Sequence, residues 1–249
     1  MKYFILLCGF IFLIASCQNE NSSKSTAHEK GANNMSDYKG TASITKGSSN
    51  TQAEKVFECA GGRPTTEGFN SSIARFTVNR PFSIAMKLVD WEEALGLGTE
   101  KNRSSNFHAG DGGMVAVIKD VNDSIIAKTN ENWKAQTFYT SPVKDLSCVR
   151  EIGMRRTTDD CDQSYSDKGK SFYGLHWELP KDWEKANFDD SKWPNATTYT
   201  NETIGVDYKK AYTNFSDIFD HQTLDAQFIW SSNVVLDNEV VVRYSVSNL

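Results

Sequence analysis

Basic residues are in deficit in this chain: 27 Lys and Arg stand against 32 Asp and Glu, a net charge of −5. A mildly acidic surface has no electrostatic means of gathering nucleic acid or anionic lipid, so no nucleic-acid partner is expected. The chain has no Gly-x-Ser-x-Gly nucleophile elbow, no phosphate-binding loop and no dinucleotide fingerprint; Gly96-Leu97-Gly98 is an isolated pair. Cys-x-x-Cys is missing, and His108, His176 and His221 lack Cys or His partners at ligand spacing, which removes the common zinc patterns. An EF-hand loop is missing too, since Asp90, Glu92 and Glu93 do not have its spacing. No long segment keeps a helical period, and Tyr208 to Phe219 comes nearest to one.

What is present starts at the amino terminus. Met1-Lys2 leads into an apolar run, Tyr3 to Ile14, and then Ala15-Ser16-Cys17. One cation, an apolar core and small residues make a secretory signal. The run is shorter than the ~20 residues of a spanning helix, and no other stretch is apolar enough to span. With a cysteine directly after the small residues, the segment resembles a bacterial lipoprotein signal. That resemblance implies removal of residues 1–16, acylation of Cys17 (a palmitate-type anchor) and a cell-envelope location. Membrane contact is then expected through the N-terminal lipid only.

Residues 17–54 follow as the lipidated cysteine and a Ser-, Asn-, Lys- and Thr-rich stretch with Tyr38 as its one aromatic. Such a composition cannot bury enough apolar surface to offset its ordering entropy, and it reads as a flexible tether. Residues 55–249 form the expected domain, long enough for a full core. Three cysteines remain in it: Cys59, Cys148 and Cys161. Cys148 with Cys161 would close a short polar loop, worth about 3 kcal/mol in the chain-entropy model. Cys59 with Cys148 is the competing pair.

The domain alternates apolar and polar residues with β-branched and aromatic enrichment. Strands are expected at 75–78, 82–89, 113–118, 124–127, 133–139, 196–199, 226–231 and 239–246. Turn residues separate them, as in Asn79-Arg80-Pro81, Asp120-Val121-Asn122-Asp123 and Leu236-Asp237-Asn238. Short strands at near-regular spacing predict an all-β fold, an antiparallel β-sandwich.

Several segments carry a more particular resemblance. Gly110-Asp111-Gly112-Gly113 opens Met114 to Ile118, then come Ser124 to Thr129 and Trp133-Lys134-Ala135. Phe188-Asp189-Asp190-Ser191, Trp193 and Ala196 follow, with Phe228-Ile229-Trp230 and Val240 to Tyr244 near the end. In this order they resemble the galactose-binding-like jelly-roll modules attached to bacterial glycoside hydrolases, notably α-L-rhamnosidases. The likeness covers about residues 80–246, with gaps. It implies a jelly-roll module that binds carbohydrate or has a structural role. No catalytic barrel follows Leu249 in this sequence, so hydrolysis is not implied. The polar insert Asp145 to Lys170, with its two cysteines, is foreign to the pattern. Within the Phe-Asp-Asp-Ser-x-Trp segment, Asx-type turns and aromatic anchors make corner-building the expected role.

Two polar loops hold the expected ligand site. Trp91 offers a face for a sugar ring, while Asn106, His108 and Asp111 offer groups for its hydroxyls. Each has a competing structural role: Trp91 as a core or rim residue, His108 as a turn residue bonding the backbone, Asp111 as the shaper of a tight turn. The same oxygen-rich loops leave room for a structural calcium; no other cofactor is expected. Glu92 or Glu93 with Asp111 as a glycosidase pair would require a suitable carboxyl separation. The expectation is therefore a lipid-anchored, non-catalytic binder of a glycan or cell-envelope polymer, not an enzyme. Its alternatives are a structural or protein-interaction lipoprotein without a small ligand, and a calcium-dependent or glycan-active enzyme.

Overall fold

The computed structural model describes residues 2–8, 41–46, 70–90, 93–94, 99–102, 105–107, 112–164, 173–200, 203 and 224–247. Within them lie sixteen strands and one short 3-10 turn at Leu146–Cys148. The first eight strands are β1 (Lys2–Cys8), β2 (Ser43–Lys46), β3 (Asn70–Phe76), β4 (Phe82–Val89), β5 (Glu93–Ala94), β6 (Thr99–Asn102), β7 (Ser105–Phe107) and β8 (Met114–Lys119). Then come β9 (Ile125–Lys128), β10 (Lys134–Val143), β11 (Arg150–Ile152), β12 (Arg155–Thr157), β13 (Tyr173–His176), β14 (Thr197–Tyr199), β15 (Phe228–Trp230) and β16 (Asp237–Val246). The strand pairings are antiparallel.

Two larger sheets carry the fold. One runs β14-β15-β8-β1-β3, with β9 also paired to β8. The other runs β2-β13-β10-β16-β4. Two smaller sheets, β11-β12 and β5-β6-β7, complete the set. The architecture is all-β and sandwich-like. The helical candidate Tyr208 to Phe219 lies outside the described residues.

Residues near the amino terminus enter both large sheets. Lys2–Cys8, inside the stretch read as a signal, lies between β8 and β3. An apolar segment suits that place, because the neighbouring Met114 to Ile118 of β8 are buried on both faces. Ser43–Lys46, inside the stretch read as tether, pairs with β13 at a sheet edge. An edge strand is held by backbone hydrogen bonds, so it needs little apolar surface of its own. Cys17 and Cys59 lie outside the described residues.

Two hydrophobic clusters flank the second sheet. The first joins Met114, Ala116, Ile118 and Trp230 from one large sheet to Phe82, Leu88, Val240 and Val242 from the other. These residues recur every second position, as one face of a strand requires. Val241 points the opposite way, into a second cluster with Phe138, Leu175, Trp177 and Trp193. Because both faces of the second sheet are covered, β10 and β16 are buried along most of their length. Their buried positions include polar ones, Gln136, Thr137 and Thr140 on β10 and Asp237, Asn238 and Arg243 on β16, which hydrogen-bond there.

One glycine of the Gly110–Gly113 stretch has a steric reason. A Cβ on Gly112 would stand 2.6 Å from Cζ2 of Trp230, inside van der Waals contact. The Trp230 indole is held there by its Nε1 donating to the Asp237 carbonyl at 2.8 Å.

The segment over the second cluster is pinned by Arg243, which is only 1% exposed. Its Nε donates to Asp190 Oδ2 at 2.7 Å, Nη2 donates to the Lys185 carbonyl at 3.1 Å, and Nη1 donates to the Trp183 carbonyl. The guanidinium also lies 5.1 Å from the Phe188 ring centre. Removing one partner of a buried ion pair leaves the other charge uncompensated, which costs about 3–5 kcal/mol. Arg243→Ala is therefore expected to destabilise the protein by about that amount in urea unfolding. Arg243→Lys keeps the charge, loses the fork and should recover only part of it. A wild-type midpoint for Arg243→Ala would contradict this assignment.

Candidate functional site

A cleft of about 450 Å³ opens where three chain segments meet over β10. Its floor includes Ala135 and Thr137 of β10. One wall is the β11-β12 hairpin, with Ile152, Met154, Arg155 and Arg156. A second wall is Lys192, Pro194 and Asn195, continuing to Thr197 on β14. Ser231 and Ser232, just after β15, close it.

The hairpin follows from local sequence. Ile152 pairs with Arg155 across a two-residue turn, Gly153-Met154. Gly153 takes φ +63°, a conformation glycine adopts without penalty at the first position of such turns. Cys148 precedes the hairpin, Cys161 follows it, and a disulfide joins them. Gln136 Nε2 donates to the Met154 carbonyl at 2.6 Å, tying the turn to β10. Arg156 donates from Nη1 to the Thr137 carbonyl, and its guanidinium lies 4.8 Å from the ring centres of both Phe138 and Trp177. Trp177 Nε1 and Thr41 both donate to Glu151 of the hairpin. These contacts hold the hairpin base and leave its tip outward: Ile152 is 65% exposed and Met154 38%.

The Phe188–Trp193 segment builds the opposite wall as a corner. Ser191 N donates to Asp189 Oδ1 at 3.0 Å, the Asx-turn expected of this pattern. Trp193 N donates to the Asp190 carbonyl at 2.9 Å. The rings of Phe188 and Trp193 meet edge to face with centres 5.3 Å apart. Lys134 Nζ then donates to the Trp193 carbonyl at 3.1 Å and to Asn195 Oδ1 at 2.8 Å. Backbone bonds from Ala135 N to the Pro194 carbonyl and from Ala196 N to the Trp133 carbonyl fix the strip against β10.

The third wall depends on Asn233. Its Oδ1 accepts from Val235 N and Leu236 N, and its Nδ2 donates to the Thr158 hydroxyl at 2.9 Å. That last bond joins the cysteine-bracketed insert to the main sandwich. Ser232 Oγ donates to Asp159 Oδ1 at 2.7 Å, and Asp159 Oδ2 accepts from Arg155 at 3.1 Å.

Electrostatics separates this cleft from the rest of the molecule. Its lining includes Arg155, Arg156 and Lys192 and no Asp or Glu, in a protein with a net charge of −5. Lys192 is exposed and forms no ion pair among the described residues. Behind the floor lies Asp237, fully buried, accepting from the hydroxyls of Thr137 at 2.9 Å and Thr140 at 2.7 Å. Burial pushes its carboxyl up to about 6, against the lowering effect of the surrounding hydroxyls. Burial likewise raises the Tyr199 phenol, whose OH donates to the Ser231 carbonyl at 2.6 Å.

Of the four expected ligand residues, only Asn106 is placed. Trp91, His108 and Asp111 lie outside the described residues. Asn106 sits in β7, paired with Lys101 of β6. Among the described residues no three His, Cys, Asp or Glu side chains come together to hold a metal ion. No helix among them is long and apolar enough to cross a membrane. Among the described residues the lining carries no carboxylate, histidine or cysteine. Compared with protein-family models, curated proteins and solved structures, the chain matches none.

Asp237 generates a pH prediction. Its folded pKa of about 6 exceeds the ~3.9 of an unfolded Asp. Between those values the folded state keeps a proton that the unfolded state has lost. Stability from this group is therefore fully present below about pH 4 and is lost as pH rises through about 6. Asp237→Asn should remove that component from urea midpoints measured between pH 4 and pH 7. An unchanged slope across that window would contradict it.

Proposed function

We propose that this chain is a lipid-anchored cell-envelope protein whose galactose-binding-like jelly-roll sandwich binds a glycan without acting on it. The observation that carries the reading is the cleft: a concave surface on a rigid two-sheet body, lined by polar groups and short of catalytic ones. Pinned loops favour binding, because little ordering entropy remains to be lost on association. The Cys17 signal supports the anchor. In this reading Lys2–Cys8 belongs to the precursor.

A second reading is an interaction lipoprotein that docks a protein partner. The exposed Ile152 and Met154 at the hairpin tip favour it.

Two measurements test the proposal. Intact-mass analysis of the protein from bacterial membranes should show a mature chain beginning at acylated Cys17; a chain retaining Lys2–Cys8 would end the anchor. The full-length lipoprotein in detergent micelles should bind saturably to at least one class on a polysaccharide panel, with no release of sugar. Failure to bind any polysaccharide, or release of reducing ends, would refute a non-catalytic glycan binder.

A further inference from the structure

Within that glycan-binding reading, on which this step rests, we infer that the hairpin cleft takes an acidic polysaccharide and grips its carboxylates with Arg155 and Lys192. The chemistry of the lining points this way. Neutral sugars are held largely through aromatic faces, and among the described residues no aromatic ring lines this cleft. Attraction must come from charge, and three cations line it. Arg156 is committed to the Thr137 carbonyl and to two aromatic rings, so it supports the hairpin. Arg155 and Lys192 are different. Among the described residues Arg155 is ion-paired only with Asp159, and both side chains are about half exposed, at 53% and 45%. An exposed pair of this kind is worth little and exchanges readily for a ligand carboxylate. Lys192 is exposed without an ion pair among the described residues. The two cations stand on opposite walls, one on the insert and one on the Asp189–Asn195 corner.

The remaining lining suits a sugar ring better than a bare anion. Met154 and Pro194 supply apolar atoms for C–H faces. Ser232 and Asn195 supply polar groups for hydroxyls, and Asn195 spends only its Oδ1, on Lys134, among the described residues. The volume falls within the ~300–1,000 Å³ of ordinary ligand clefts, enough for a short stretch of chain. Three carboxylates oppose an anion, and exposed Asp189 is the one that feels Lys192. Asp159 is held by Arg155 and Ser232, and Asp237 is buried behind Thr137. A uronate carboxylate arriving at Arg155 replaces Asp159 as its partner.

The insert bracketed by Cys148 and Cys161 thereby becomes the specificity element. The sandwich supplies the floor and one wall, and the insert supplies the second wall with its arginine.

The test uses full-length lipoprotein in detergent micelles, with polygalacturonate as the acidic probe and dextran as the neutral one. Wild type should bind polygalacturonate more tightly than dextran, and binding should weaken several-fold from 50 to 200 mM salt, as screening requires. Arg155→Ala/Lys192→Ala should lose at least tenfold in affinity for polygalacturonate while keeping the wild-type urea midpoint. Lys181→Ala, an exposed cation outside the cleft, should bind as wild type does. Equal polygalacturonate binding by the double variant would overturn the site. Preference for dextran, unaffected by the double variant, would overturn the acidic ligand and leave the glycan reading standing. Binding to neither probe, nor to any other polysaccharide, would overturn both.

Discussion

A single buried guanidinium holds the outer layer of this protein to its sandwich. Arg243 rises from β16 and is satisfied by Asp190 and by the carbonyls of Trp183 and Lys185. Three acceptors spread along one loop can be met together by the planar donor fork of arginine, and a lysine cannot do this. The pair is not a large source of net stability, because desolvation offsets much of the attraction. Its effect is positional. With Arg243 in place, residues 183–190 have one seat over the sheet, Trp193 packs on Phe138 with ring centres 5.7 Å apart, and the wall carrying Lys192 stands where it does.

The opposite wall is held by unlike means. Its hairpin is short and polar, so it brings almost no core of its own. The disulfide, the Gln136–Met154 bond and the stacking of Arg156 between two rings compensate. Asn233 adds a buried side-chain bond to Thr158. The cleft therefore lies between one wall fixed by a charge and one fixed by a covalent loop, with both resting on β10. Rigid walls under exposed cations are what pre-organised recognition of a charged ligand needs.

Much of the sandwich was legible in the sequence, for a physical reason. The strands at 82–89, 114–119, 134–143 and 237–246 bury side chains, and burial imposes a pattern of apolar and β-branched residues. The corner at Phe188–Trp193 was legible because Asx turns and aromatic anchors have a short-range signature. Strands β2, β11 and β12 were not legible. They are three or four residues long and largely polar, and β11 and β12 have no buried residue, so no apolar pattern marks them. The cleft was hidden for a related reason. Arg155 and Lys192 lie far apart in the chain, each within a polar stretch that reads as solvated surface, and only the fold makes them neighbours of one cavity. The sequence signals near it were the Cys148–Cys161 pair, the corner at Phe188–Trp193 and the insert's being foreign to the galactose-binding-like pattern, and none of them marks a cavity. The residues favoured in the sequence, Trp91, Asn106, His108 and Asp111, were chosen for sugar-type chemistry; three of them lie outside the described residues, and Asn106 sits in β7.

The account stands on the cleft being the place where ligand touches the protein. Hydrogen–deuterium exchange of the full-length protein in micelles, with and without oligogalacturonate, reports that directly. Slowed exchange should concentrate in peptides covering 150–156, 192–197 and 231–232, with the β4 and β16 peptides unchanged. Protection confined to peptides covering 91–111, or none anywhere at saturating ligand, would contradict it.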